Sequence, residues 1–166
     1  MYQFDVRDAC KAELYHDLST ALEAITAGEP DPVANMANAA ALIWEYLPDI
    51  NWAGFYRMVD GELVLGPFQG KAACIRISLG QGVCGTAAAS GQTQLVTDVD
   101  AFPGHIACDA ASASELVVPI VHGGQLFGVL DIDSPTRGRF DEEDAAGCEA
   151  LVRILAPRLC AKVGRN

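Results

Sequence analysis

The chain has 166 residues, 51% of them hydrophobic and 20% charged, which is the composition of one globular domain rather than of a disordered tail. Its net charge of -11, with no cluster of lysines or arginines, makes nucleic acid and anionic membrane surfaces poor partners. No stretch approaches the roughly 18 apolar residues of a membrane span, and MYQFDVRDACKAEL lacks a signal-peptide pattern, so we expect a cytoplasmic protein.

Two amphipathic helices are predicted first. Residues 8–26 carry apolar side chains at helical spacing, and Gly28 follows them. Asp31 is then a suitable N-cap and Pro32 a suitable first helical residue, and this second helix ends before Pro48.

From residue 50 the pattern is that of strands. NWAGFYRMV and LVLGPF flank the turn DGE and predict a hairpin, and CIRISL and TQLVTDV predict two shorter strands. Between those two, GQGVCGTAAAS predicts a glycine-bounded loop that runs into a short helix. LVVPIVH and QLFGVLDID, joined by GG, predict a second hairpin.

A last helix is predicted over FDEEDAAGCEALVRIL, with Asp141 as its N-cap and Pro157 kinking or shortening its end. The order of elements predicts an α+β fold in which helices cover mainly one face of an antiparallel sheet. We expect one domain over residues 1–166, with N-terminal helices in 1–48, the sheet and active-site loops in 50–135 and the C-terminal helix in 141–160.

Six cysteines are candidates for chemistry, and a reducing compartment would keep them as thiols, so that any disulfide would be transient. Three fall in loop-like segments: Cys74 in QGKAAC, Cys84 in GQGVCG and Cys108 in GHIACD. Loops carry function more often than regular elements do, although simple packing explains each of these cysteines as well when it is taken alone. Packing or surface roles are expected for the others, which are Cys10, Cys148 and Cys160.

The position of Cys84 at the start of a short helix predicts a lowered thiol pKa, since the helix dipole favours the thiolate. The short paired spacings of structural zinc ligands, such as CxxC, are absent. We therefore predict no metal site from the sequence.

Carboxylates and aromatic residues form two further groups. Asp131 and Asp133 alternate with apolar residues and so share one strand face, where two like charges favour a cation, and Glu115 joins them in a plausible strand register. A solvated sheet edge or a turn at DSP is the alternative explanation for Asp133 by itself. Trp52 and Tyr56 also share a face, which core packing would explain too.

Several motifs together resemble one family. NWAGFY, LGPFQGKAAC, GQGVCG, FPGHIACD with SASE, and GVLDIDSP, in this order over residues 50–140, are similar to segments of the free methionine-(R)-sulfoxide reductases, which are single-domain GAF proteins. The resemblance implies a six-stranded antiparallel sheet with helices packed mainly on one face and a ligand pocket on the other.

The resemblance also implies residue roles. Cys108 matches the nucleophile, Cys74 the principal resolving cysteine, and Cys84 an alternative resolver or relay. The positions that match the substrate pocket are Trp52, Tyr56, Glu115, Asp131 and Asp133. Such chemistry suits these residue types, because a sulfoxide sulfur becomes electrophilic once an acid protonates its oxygen and a thiolate can then attack it.

The implied activity is reduction of free L-methionine-(R)-sulfoxide through a cysteine sulfenic acid and an intramolecular disulfide. No bound cofactor is expected, thioredoxin (ultimately NADPH) is the expected external reductant, and a homodimer is expected from the family. The alternative is a non-catalytic GAF module that senses a small molecule or the redox state, since a fold does not fix a function.

Overall fold

The computed structural model describes residues 10–104 and 111–160, which form four α-helices and six strands. The helices are α1 (Lys11–Thr26), α2 (Pro32–Tyr46), α3 (Gly82–Ser90) and α4 (Glu142–Leu159), and a 3₁₀ turn spans Val99–Ala101. The strands are β1 (Trp52–Val59), β2 (Glu62–Gly70), β3 (Arg76–Ser78), β4 (Gln94–Val96), β5 (Ser114–His122) and β6 (Gln125–Ser134).

The strands form one antiparallel sheet in the order β3-β2-β1-β6-β5-β4. Asp60 and Gly61 connect β1 to β2 with φ angles of 50° and 89°, the pair of positive values that a two-residue hairpin turn requires. The predicted α+β fold with a six-stranded antiparallel sheet is thus confirmed.

The two faces of the sheet have different partners. On the first, which we call the helix face, α1, α2 and α4 bury alternate strand residues such as Phe55, Leu130 and Ile132. On the second, which we call the pocket face, α3 packs against the residues between them, including Tyr56 and Val129. The period of two along each strand separates the two cores.

Aspartates cap α2 and α4 as predicted. Asp31 accepts hydrogen bonds from the backbone N–H groups of Val33 and Ala34, at 2.8 and 2.9 Å. Asp141 forms a capping box with Asp144 at the start of α4.

Pro157 was expected to kink or shorten the end of the last helix, and the shortening is not seen, because α4 continues to Leu159. Proline removes one backbone donor, and the carbonyl that loses its partner belongs to Arg153, whose side chain, like Pro157 itself, is exposed to solvent. Leu155 and Leu159 are buried on the opposite side of the same turns and hold the end of the helix against the core.

A buried ionic cluster joins α1 to α4. The Asp144 side chain, only 1% exposed, receives Lys11 Nζ at 2.6 Å, Arg139 Nη1 at 3.3 Å and the Tyr15 hydroxyl at 2.9 Å. Every partner is a cation or a hydrogen-bond donor, so the negative charge of the buried carboxylate is compensated within the fold.

In the two described ranges, no helix has both the length and the apolar character needed to cross a bilayer.

Candidate active site

Three aromatic side chains line one side of the pocket face. Trp52 and Tyr56 are four residues apart on β1, and their rings stack with centroids 5.9 Å apart. The ring of Phe68 in β2 also stacks on Trp52, with the ring centroids 5.2 Å apart. The predicted pair is therefore part of a larger aromatic wall, defined here as Trp52, Tyr56 and Phe68.

Gly54 makes the aromatic wall possible. It lies between the two β1 aromatics and pairs with Phe68 across the strands. A Cβ at this position would be 2.3 Å from Phe68 Cβ and 2.8 Å from Trp52 Cη2, which is closer than real contacts allow. The absent side chain leaves room for the indole to lie flat over the strand.

The aromatic wall also holds the segment that carries Cys74. The indole N–H of Trp52 donates to the Lys71 carbonyl at 3.0 Å, and the Tyr56 hydroxyl donates to the Cys74 carbonyl at 3.1 Å. Residues 71–74 follow β2 and have no strand or helix structure of their own. The two hydrogen bonds fix this half-buried cysteine beside the pocket face.

Three carboxylates meet on the same face because of the strand register. Glu115 of β5 pairs directly with Asp133 of β6, and Asp131 pairs with Val117 two residues further along. Glu115 and Asp131 are 7% and 6% exposed, whereas Asp133 is half-buried. The structure thus brings together the acidic residues that alternation along the strand had indicated.

Cys84 completes this group from α3. It is the third helical residue, and its thiol donates to Glu115 Oε1 at 3.8 Å. A Cβ on Gly85 would be 2.4 Å from the Ser78 carbonyl oxygen, so the glycine lets α3 approach the end of β3. That close approach sets Cys84 over the carboxylates.

The predicted lowering of the Cys84 pKa is wrong. Complete burial raises the pKa of this thiol well above its usual value, and the nearby Asp131 and Glu115 charges raise it further. The helix dipole is a partial charge and is worth typically 0.3–1 kcal/mol, which is less than the effect of losing solvent beside two carboxylates.

Two of the carboxyl groups also have raised pKa values. Burial, and then the charges of Asp131 and Asp133, raise the pKa of Glu115 well above its usual range. Burial raises the pKa of Asp131 to about 6 against the opposing hydrogen bonds of Cys84 and Glu115. Asp131 Oδ1 is buried and has no hydrogen-bond partner in the described part of the chain. Such a cluster can keep one proton for donation and use its remaining charge to hold a cation.

Cys108 belongs to residues 105–110, which lie outside the described residues. Beyond this gap the Ala113 N–H donates to the Ser134 carbonyl at 2.7 Å, one residue after Asp133. The other cysteines lie elsewhere: Cys10 is the exposed N-cap of α1, Cys148 is buried on the helix face, and Cys160 caps the end of α4.

Phe68 is the site residue that sequence reasoning missed. Gly66 and Pro67 interrupt alternation along β2, and the register shifts between Gly54 and Tyr56, so no period-two pattern marks its face. Counting residues from the hairpin turn would pair Gly54 with Pro67, so the sequence gives no signal for Phe68.

Comparisons with known proteins show which family the chain belongs to. The GAF domain family matches residues 34–157. The free methionine-R-sulfoxide reductase of Escherichia coli is 57% identical over 145 residues, covering 87% of this chain and 88% of the relative. The enzyme of the same name from Saccharomyces cerevisiae is 45% identical over 153 residues, covering 87% and 85%.

A solved structure extends the similarity to the whole fold. Free methionine-R-sulfoxide reductase from Neisseria meningitidis, in complex with its substrate, is 46% identical, covers 96% of each chain and superposes with a TM-score of 0.92. The chain therefore belongs to the GAF domain proteins and, within them, to the free methionine-R-sulfoxide reductase family. The expected resemblance and the expected class, an oxidoreductase acting on sulfur, are both confirmed.

Proposed function

We propose that this protein reduces free L-methionine-(R)-sulfoxide to methionine at the pocket face, with cysteine thiols as the reductant. The observation that carries the proposal is the buried acidic cluster beside the aromatic wall, where Asp131 Oδ1 has no partner in the described residues. The cluster offers a cation site, and a free amino acid carries an ammonium group. Family membership supports the same substrate, because a relative was solved with it.

The chemical step needs a thiolate and an acid on opposite sides of the sulfoxide. The Cys108 thiolate attacks the sulfoxide sulfur while a carboxylic acid protonates the oxygen, and the oxygen passes to Cys108. Methionine leaves with its sulfur reduced, and Cys108 remains as a sulfenic acid. Each turnover transfers one oxygen atom and oxidises one thiol by two electrons.

Glu115 is the proposed acid. Burial next to two aspartates raises its pKa well above the usual carboxyl range, which favours the protonated form that a proton donor needs. Asp131, with a pKa of about 6, is mostly ionised at pH 7, and with Asp133 it is the proposed partner of the ammonium group. The aromatic wall offers an apolar surface to the methylthio end of the substrate.

Cys74 is the proposed resolving residue. Its thiol condenses with the Cys108 sulfenic acid to give a disulfide and one water molecule. Cys84 is less suited to this role, since its raised pKa keeps the thiol protonated and the thiolate is the nucleophile. Thioredoxin, at about -270 mV, is the proposed dithiol that reduces the disulfide, itself recycled by NADPH.

Steady-state turnover with thioredoxin tests the proposal. We expect Cys108→Ser to abolish methionine formation and Cys74→Ser to stall after about one turnover, whereas Cys160→Ser, outside the site, keeps normal turnover. Peptide mapping after substrate addition without reductant should show a Cys108–Cys74 disulfide. Ligand binding without any turnover would instead favour a sensor module, and substantial activity of Cys108→Ser would refute the assigned nucleophile.

We further propose that the protein is a cytoplasmic homodimer, as the family resemblance implies for the dimer. Light scattering of the purified protein should give twice the mass of the 17.5 kDa chain.

A further inference from the structure

The pocket face contains three metal-ligating groups that come from three separate elements. The Cys84 sulfur and one oxygen each of Glu115 and Asp131 all lie within 4.8 Å of one another. All three residues are buried. Their spacing along the chain hides them from a sequence search for paired ligands, because α3, β5 and β6 each supply one.

The spacing is that of ligands around one small ion. Zinc binds thiolate sulfur at about 2.3 Å and carboxylate oxygen at about 2.0–2.2 Å in a tetrahedron, which separates a sulfur from an oxygen by roughly 3.5 Å. The distance from Cys84 Sγ to Glu115 Oε1 is 3.8 Å. An ion between them therefore requires only a small closure of the two side chains.

Asp131 gives independent support for a cationic ligand. The residue is 6% exposed, and its Oδ1 has no hydrogen-bond partner in the described residues. A buried polar atom without a partner destabilises the fold, so a positive charge or a hydrogen-bond donor beside this oxygen would be favourable. A divalent cation would meet it.

We propose that Zn²⁺ binds in the pocket face, held by Cys84 Sγ and by one carboxylate oxygen each of Glu115 and Asp131, with water in the fourth position. The thiolate selects this ion over Mg²⁺ and Ca²⁺, which prefer oxygen ligands alone. Three protein ligands with one open position form a site that a small molecule can enter.

Binding is coupled to proton release. The thiol must lose its proton to ligate zinc, and so must any carboxyl group that is protonated in the apo protein. Affinity should therefore rise with pH across the neutral range. The ion would also replace repulsion among the acidic groups by attraction to one centre.

One consequence rests on the proposed function. Glu115 and Asp131 are there the acid and an ammonium partner, so a zinc ion on them excludes the substrate. Zinc should then inhibit turnover competitively with methionine sulfoxide, and a chelator should restore the activity.

The direct test is a titration of the reduced protein with Zn²⁺ in the absence of substrate, followed by calorimetry. We expect one equivalent to bind, with an affinity that increases from pH 6 to pH 8. Cd²⁺ titration provides a second readout, because a cadmium–thiolate bond absorbs in the ultraviolet.

Variants assign the ligands. Changes outside the first coordination sphere commonly cost 10–100-fold in metal affinity, so Cys84→Ser and Asp131→Asn should each weaken binding by more than about a hundredfold. Cys160→Ser, which removes a thiol far from the cluster, should bind as the wild type does. The Asp131→Asn variant keeps the test decisive if Cys84→Ser does not fold.

The proposal is overturned if no equivalent binds, or if Cys84→Ser and Asp131→Asn bind normally while Cys108→Ser or Cys74→Ser does not. Because the titration contains no substrate, its result is separate from the proposed activity. Zinc binding without any turnover would refute only the proposed function. Turnover without zinc binding would refute only the proposed metal site.

Discussion

Two aspartates are buried to similar extents in different layers of this protein, and their surroundings differ. Asp144, in the helix layer, is 1% exposed and is met by Lys11, Arg139 and the Tyr15 hydroxyl. Asp131, on the pocket face, is 6% exposed and lies among Glu115, Asp133 and the Cys84 thiol, all acidic groups. Its Oδ1 has no partner in the described ranges.

The difference distinguishes a structural carboxylate, Asp144, from one with a proposed functional role, Asp131. A buried charge that has its counter-ions within the fold helps to hold two helices together, and its removal takes away a carboxylate that they share. A buried acid surrounded by other acids destabilises the fold and needs a cation from outside. Sites that break the rules of stable folding are where function is to be expected.

Loss of the Asp144 carboxylate in the helix layer should destabilise the protein strongly. Asp144→Ala leaves Lys11 and Arg139 without their shared carboxylate and removes half of the capping box, so we expect the free energy of unfolding to fall by about 3–5 kcal/mol. Urea denaturation measures it. The matched control is Asp100→Ala, whose exposed pair with Arg137 should contribute less than about 1 kcal/mol. Equal losses in the two variants would contradict the structural role of Asp144.

The opposite sign is expected on the pocket face. Asp131→Asn keeps the side-chain shape and removes one of the repelling charges, so at pH 8 we expect the free energy of unfolding to rise by about 1–3 kcal/mol. The same variant should lose most of kcat/KM, since a proposed ammonium partner is gone. If Asp131→Asn were destabilised and had normal kinetics, Asp131 would be a structural carboxylate like Asp144, and its proposed role would be wrong.

A smaller effect concerns pH. The folded-state pKa of Asp131, about 6, is above its unfolded value, so between these values the folded state binds more protons and stability falls as pH rises. From pH 5 to pH 7 the wild type should lose about 1 kcal/mol more than Asp131→Asn does. Denaturation curves at several pH values check this. Parallel pH profiles of the two proteins would show that Asp131 is not the titrating group.

A modest effect is expected at the aromatic wall. Tyr56→Phe keeps the ring and removes the hydrogen bond to the Cys74 carbonyl, which is worth about 0.5–1.5 kcal/mol. If Tyr56 positions the resolving cysteine, disulfide formation should slow by about 2–10-fold. Release of the first equivalent of methionine should keep its rate. Stopped-flow measurement of both steps decides, and equal slowing of both would place the Tyr56 hydroxyl on the substrate instead.

Much of the fold followed from local patterns. The aspartate caps, the hairpins and the common face of Asp131 and Asp133 each depend on residues that are near one another in the chain, and the structure has them as expected. The pKa of Cys84 could not be obtained in this way. Its sign depends on Glu115 and Asp131, which two other elements bring to the thiol.

Two further features depend on contacts that sequence patterns do not encode. Phe68 joins the aromatic wall because Gly54 leaves space on the neighbouring strand. The helix continues past Pro157 because Leu159 is buried against the core. Tertiary packing overrides local preference in both places.

We propose that the acidic cluster on the pocket face recognises the ammonium group of a free amino acid. The most direct test compares kcat/KM for L-methionine-(R)-sulfoxide with that for its N-acetyl derivative, in which the ammonium has become a neutral amide. A buried charge left without its partner costs about 3–5 kcal/mol, and each 1.4 kcal/mol is about tenfold. We therefore predict that the free substrate is favoured by at least about a hundredfold, whereas equal values would remove Glu115, Asp131 and Asp133 from substrate recognition.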